Sequence, residues 1–260
     1  MSPAPRPVVV LLHASGSSPR QWDALAQALE PRLQVHAIDL LGHGRQPGRP
    51  GATVHDEAAL VQPLLQAAGA VHLVGHSYGG AVAVHLAAAQ PARVLSLAVY
   101  EPVLFSLLAE HEPWSPAAAE ARALAEATQG LVGAGEAEAA AARFVDYWSG
   151  PGTWAAMPAS RRDGLVARMP FIAQHFETLY REPLPMHALA RLRMPLLCLH
   201  GSRSTPAARS IAALLQRLLP QGRHEEVPGA GHMGPLTHAA AVNPPLLAFL
   251  HAHALARRAA

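Results

Sequence analysis

No lysine occurs anywhere in the chain: all twenty basic residues are arginine. That absence removes Schiff-base lysine chemistry and a phosphate-cradling P-loop lysine. Cysteine is nearly absent too. Cys198 stands alone inside the apolar run 195–200, so no disulfide can close within the chain and a buried thiol is expected. No apolar run reaches the length of a membrane span, and the opening Met-Ser-Pro-Ala-Pro-Arg-Pro lacks the apolar stretch of a secretory leader. The expectation is a soluble, cytoplasmic protein. The arginines are scattered over a net charge of only +2, and apart from the short Arg257-Arg258 pair they form no basic run, so nucleic acid has no support as a partner. Sixteen histidines show neither an HExxH motif nor a Cys/His cluster, and no metal or other cofactor is expected.

What the chain does have is a repeating alternation of buried strand and helix. Half of its 260 residues are hydrophobic, enough for one large domain or a domain with an insertion. Residues 7–12, 33–38, 71–74 and 94–100 are short apolar runs of the kind a strand buried on both faces requires. Between them lie helical patterns at 19–29, from the N-cap Thr53 to Ala68, and from Ala81 to Gln90 before Pro91. Such alternation specifies a mainly parallel sheet with helices on both faces.

From Glu101 to Met194 no strand-like run appears. Alanine, glutamate and arginine dominate, with helical spacing at 120–130, 136–148 and around Phe171, Phe176, Leu179 and Tyr180. The strand-helix rhythm then resumes with 195–200, a helix to Leu219, a more polar edge strand at 223–227, and a last helix expected to break near Pro244-Pro245. An excursion from one continuing sheet is more economical than a separate helical domain.

The chemistry is concentrated at Gly75-His76-Ser77-Tyr78-Gly79, a Gly-x-Ser-x-Gly placed where a strand ends and a helix begins. A reversal around one residue strains its backbone and leaves room only for small residues two positions away, while the first helical N–H groups face whatever Ser77 attacks. Ser77 therefore reads as a nucleophile. A serine needs a base within hydrogen-bond reach, and His232, in the small-residue loop after the last strand, is best placed to supply it. His238 falls inside the final helical pattern, and His76 is expected to point into packing.

Gly-His-Ser-Tyr-Gly-Gly, an early His-x-x-Gly loop, Asp-Leu-Leu-Gly-His-Gly and a late Gly-Ala-Gly-His, in this order on a βα frame, resemble the α/β-hydrolase superfamily over essentially the whole chain. The resemblance implies a helical cap over residues 104–192 and a core of residues 1–103 and 193–260. The chain has no residues for the antiparallel hairpin with which the family usually opens, so the sheet is expected to be a six-stranded minimum.

The resemblance also exposes a departure. Most members carry their triad acid in a Gly-x-x-Asp after the strand at 195–200, but Gly201-Ser202-Arg203-Ser204 stands there. A serine cannot support an imidazolium as a carboxylate does. Glu101, at the end of the strand next to that of Ser77, is the carboxylate at a corresponding strand end, and some members, haloalkane dehalogenases among them, take their acid from that place. The other reading of Glu101 is a carboxylate that anchors the cap. Asp39 is the rival acid, although in the family it braces the His-Gly loop; Glu225 and Glu226 lie on the outer strand and are expected to be solvated. The oxyanion donors are expected to be the backbone N–H of Tyr78 and, by the resemblance, that of Ser15.

The resulting expectation is a serine hydrolase acting on a small carboxylic ester, lactone or thioester through Ser77, His232 and Glu101, with a small-molecule acyl substrate of apolar or aromatic character. An acyltransferase or lyase on the same residues, or a ligand-binding protein with negligible turnover, would leave the same signature, and oligomeric state stays open. Leu104, Phe105, Leu107, Leu108, Trp148, Trp154, Met157, Phe171 and Phe176 could line an apolar lid or form the core of the cap itself.

Overall fold

The structure is a computed structural model that describes residues 6–255. Residues 1–5 of the opening segment weighed above for a leader and the Arg257-Arg258 pair lie outside the described residues. Six strands, β1 (Val8–Leu12), β2 (Gln34–Ile38), β3 (Val71–His76), β4 (Val94–Tyr100), β5 (Leu196–Gly201) and β6 (Arg223–Val227), pair in parallel in the order β2-β1-β3-β4-β5-β6. Each of the five pairings is parallel, which leaves the sheet without the antiparallel hairpin.

The strands divide their side chains between two faces with period two. Val8, Val10 and Leu12 of β1 face one apolar cluster, and Val9 and Leu11 face the other. On the second face lie α1 (Asp23–Leu29) and the terminal helix. On the first lie α2 (Val54–Ala59), α3 (Gln62–Ala68) and α4 (Tyr78–Ala89). Helix α4 has eleven buried residues out of twelve. An Ala/Gly/Val helix suits this position because small side chains let it lie close to β3 while α2 packs against it.

Thr53 caps α2 as expected, accepting from Asp56 N–H while the Asp56 carboxylate accepts from Thr53 N–H. The helix does not run on to Ala68. It stops at Ala59 and restarts as α3, because Pro63 lacks the N–H that a helix interior needs and is accommodated in the first turn of a new helix.

Between β4 and β5 the chain forms α5 (Phe105–His111), α6 (Pro116–Gly133), α7 (Ala137–Ser149), α8 (Thr153–Ala156), α9 (Ala159–Val166), α10 (Met169–Arg181) and α11 (Met186–Leu189). Their apolar residues, Leu124, Trp148, Ile172 and Phe176 among them, join the cluster on the first face of the sheet rather than forming a core of their own. After β5 come α12 (Pro206–Leu218), β6, α13 (Gly234–Thr237) and α14 (Ala239–Leu255). No helix of the described residues is long and apolar enough to cross a membrane.

The break expected at Pro244-Pro245 is absent: α14 continues through both prolines. Val242, Leu246, Phe249 and Leu250 are buried in the second cluster, and this packing holds the helix together across the missing bonds. Pro244 is exposed and contributes only the cost of a lost bond and a crowded carbonyl one turn earlier. Replacing Pro244 with Ala is expected to raise unfolding stability by about 1–2 kcal/mol, read from urea denaturation; a loss of stability would show that the proline is needed where it stands.

Candidate active site

Two turns at the C-terminal edge of neighbouring strands define the site. Ser77 follows β3 with φ 56° and ψ −121°, and Glu101 follows β4 with φ 45°; among the described residues they are the only non-glycine positions with positive φ. Each costs of order 1–3 kcal/mol and persists because its surroundings hold it. The two turns hold each other: Ser77 N–H donates to Tyr100 O at 3.1 Å and Val103 N–H donates to Ser77 O at 3.3 Å. A Cβ on Gly75 would lie 2.5 Å from Gly79 O, and one on Gly79 would lie 2.7 Å from the carbonyl carbon of Leu12. The nucleophile turn therefore accepts glycine alone at these two positions, as the sequence pattern implied.

His232 reaches this edge from the loop after β6. Its Nε2 lies 2.9 Å from Ser77 Oγ and its Nδ1 lies 2.7 Å from Glu101 Oε2. All three side chains are buried. Glu101 Oε1 accepts from Gly201 N–H at 2.6 Å and from the Ser204 hydroxyl, so the residue standing where an aspartate is common orients the glutamate instead. Asp39 lies elsewhere: its carboxylate accepts from Arg45 N–H and braces the turn after β2. His238 is exposed at the end of α13. Glu225 and Glu226 sit on the edge strand β6, where they face Arg223 and His200.

The base loop is held from both sides. Tyr100 O–H donates to Gly231 O at 2.7 Å, and His76 Nε2–H donates to His232 O at 2.8 Å. Gln21 donates to His76 Nδ1, and its Oε1 accepts from Ala14 N–H. One glutamine thus ties the loop after β1 to the loop that carries His232. Trp148 of α7 stacks on the His232 ring at 3.8 Å between centroids.

The loop after β1 is anchored by histidines. His13 donates from Nδ1 to Ala14 O and accepts Leu40 N–H at Nε2; His43 donates to Leu41 O and accepts Gly16 N–H. The Ala14, Gly16 and Ser17 N–H groups are each committed to a hydrogen bond, whereas the Ser15 N–H is not. Tyr78 N–H, first in α4, is one of the orphan donors of a helix start. Ser15 and Ser77 line the same small cavity, of about 20 Å³, together with Val103, Phe105, Trp148 and Phe176. Of the residues read as a lid, these are Phe105, Trp148 and Phe176. Leu104, Leu107, Leu108 and Trp154 belong to the buried core, and Phe171 closes over Gly42 and Gly48.

His175 of α10 lines the cavity as well, and the sequence reading did not single it out. Its Nδ1 is 2.8 Å from Ser15 Oγ, its ring stacks on Tyr78 at 3.7 Å, and Glu57 lies 3.6 Å from its Nε2. Burial lowers its imidazole to about 3 and pushes the Glu57 carboxyl up to about 7, so the two face each other without forming an ion pair. A histidine one turn after Phe171 and three residues after Ile172, on an otherwise apolar stripe, was the available signal.

The chain belongs to the α/β-hydrolase family, whose model, described as the Alpha/beta hydrolase family, matches residues 9–244. Lipase LipV of Mycobacterium tuberculosis is 42% identical over 98 residues, which span 37% of this chain and 37% of the lipase. A pimeloyl-[acyl-carrier protein] methyl ester esterase of Pectobacterium atrosepticum is 28% identical over 251 residues, covering 94% of each chain. Among solved structures, a hydrolase from Pseudomonas aeruginosa is 25% identical with a TM-score of 0.75, covering 94% of this chain and 90% of its own.

Burial lowers His13 to about 3 and His43 to about 4, with the neighbouring histidine rings acting in the same direction. An imidazole free at 6.5 in the unfolded chain takes up a proton on unfolding between those values. Its contribution to stability is whole above pH 6.5 and is lost as pH falls toward the folded value. Glu57 acts oppositely between its ordinary 4.5 and about 7, and burial raises Glu182 as well, but these two carboxyls oppose five buried imidazoles held low by burial, His13, His43, His76, His85 and His175. Stability is therefore expected to fall on acidification from pH 6.5 to 4.5, each imidazole adding about 1.4 kcal/mol per pH unit. Thermal melts across this range check it, and His43→Gln should flatten the slope; a pH-independent midpoint would contradict the neutral-histidine anchors.

Proposed function

We propose that the chain is a serine-dependent carboxylic ester hydrolase whose triad is Ser77, His232 and Glu101. The observation that carries this reading is the buried line of contacts from Glu101 to His232 to Ser77, at 2.7 and 2.9 Å, on the wall of an apolar cavity. Ester-cleaving relatives support it.

In this mechanism His232 accepts the Ser77 proton at Nε2 as Oγ attacks the ester carbonyl, while Glu101 accepts from Nδ1–H and supports the imidazolium. The Ser15 and Tyr78 N–H groups stabilise the oxyanion of the tetrahedral intermediate. His232 returns the proton to the departing alcohol, leaving an acyl group on Ser77. It then takes a proton from water as the water attacks the acyl-enzyme, and gives that proton to Ser77 Oγ as the acid departs. No cofactor enters the scheme. Residues 104–192 act as a cap over a core of residues 1–103 and 193–260, and the cavity walls Phe105, Trp148 and Phe176 select a small apolar or aromatic acyl group.

A panel of p-nitrophenyl esters of rising acyl length, with fluorophosphonate labelling, tests the reading. The wild type should turn over and label. Ser77→Ala should lose turnover by about 10⁴-fold or more and lose the label. Absence of label and equal rates in the two proteins would discard the hydrolase reading. Glu101→Gln should lower kcat by about 10³–10⁴-fold while keeping the fold, because an amide cannot support the imidazolium or hold its tautomer; near-wild-type turnover would remove Glu101 from the triad.

A further inference from the structure

A second, larger cleft of about 560 Å³ opens beside the catalytic cavity and shares Ser15, Phe144 and Trp148 with it. Its ionisable lining consists of three arginines, Arg20, Arg161 and Arg168, and no carboxylate lines it. From these observations we propose that the cleft is an anion subsite, and that the preferred substrate is an ester bearing a terminal carboxylate or phosphate on the part that extends out of the apolar cavity. The proposal rests on the hydrolase reading and narrows its substrate class.

The arrangement of α9 argues that these charges are aimed. Arg161, Gly164 and Leu165 recur at the spacing that puts them on one face of α9, Arg168 follows in the turn that leads into α10, and all four line the cleft. Arg162, next in sequence, turns away and lies over the Trp154 ring at 5.7 Å. Arg168 is laid back along the helix, where its Nη1–H donates to Gly164 O at 2.7 Å. Gly164 permits this, because a Cβ there would stand 3.3 Å from Arg168 Nη1. The charge of Arg168 is felt at the loop after β1, where it helps hold His13 and His43 neutral.

The charges are also unspent. The arginines that pair with carboxylates among the described residues are Arg49, Arg181, Arg217 and Arg223, none of them in the cleft. Three guanidinium groups without a carboxylate partner in the lining of one cleft are a local excess in a chain whose net charge is +2. Ser17, Ser18 and Ser160 line the same cleft and offer hydroxyl groups that suit carboxylate or phosphate oxygens. Guanidinium groups bind such oxygens through paired N–H donors, and a partly enclosed cleft strengthens that attraction relative to open surface.

The test compares kcat/KM for hexyl acetate, neutral throughout, with that for 6-acetoxyhexanoate and 6-acetoxyhexyl phosphate, which place either anion on the alcohol side. Monoethyl adipate against diethyl adipate places a carboxylate on the acyl side. At least one anionic ester should exceed its neutral counterpart by about tenfold at low ionic strength, with the advantage falling as salt is added. Which arm wins identifies the anion and the side of the ester that enters the cleft. In Arg161→Gln/Arg168→Gln the anionic-to-neutral ratio should drop to near one, chiefly through KM, whereas Arg162→Gln should keep the wild-type ratio. Ratios at or below one for every pair in wild type, or a ratio unmoved by the double substitution, would overturn the proposal. Failure of the hydrolase reading would look different: no ester, neutral or anionic, would turn over. In that case calorimetric binding of monoethyl adipate to Ser77→Ala, with and without the arginine substitutions, still decides the subsite.

Discussion

Everything at the site hangs on the mutual support of two strained turns. Ser77 and Glu101 occupy the left-handed region at the ends of adjacent strands, and backbone bonds between 77, 100 and 103 bind the turns to each other. Neither conformation would persist alone, because each costs energy that local sequence does not return. Parallel pairing of β3 with β4 brings them into register, with His76 opposite Tyr100. That register puts the serine and the glutamate on neighbouring strand ends, close enough for one imidazole to contact both.

The imidazole is held with equal care. Tyr100 and His76 fix the backbone of its loop, Trp148 covers its ring, and the Gln21 side chain ties it to the loop carrying Ser15. The proposed base and one proposed oxyanion donor are therefore parts of one hydrogen-bonded unit. The buried histidines around Ser15 work as neutral acceptors of backbone N–H groups, which is why burial and a low affinity for protons go together there. The cap completes the enclosure through α7 and α10. The cleft beside it widens the chemistry on offer from an apolar cavity to one with a cationic mouth.

Much of this was legible before any coordinates. Continuous apolar runs marked the inner strands, because a strand covered on both faces has no polar alternative, a more polar run marked the edge strand β6, and the small residues around Ser77 marked a turn that larger side chains cannot make. Ser204 in place of the usual aspartate directed attention to Glu101. Local pattern was less informative about continuity within helices. The expected single helix from Thr53 to Ala68 is two, because Pro63 restarts it, while the expected break at Pro244-Pro245 does not occur, because the burial of Val242, Leu246 and Phe249 outweighs the missing bonds.

By itself the sequence determined the strand-helix order, the turn at Ser77 and the short set of side chains from which an active site could be drawn, because these depend on local volume, backbone freedom and residue chemistry. Tertiary structure alone decided which of them meet. It brought Glu101 rather than Asp39 to His232, turned Ser204 toward the glutamate, and carried His175, Arg161 and Arg168 across more than a hundred residues to the loop around Ser15. Such contacts follow from the packing of distant elements on a shared sheet, and no spacing along the chain encodes them.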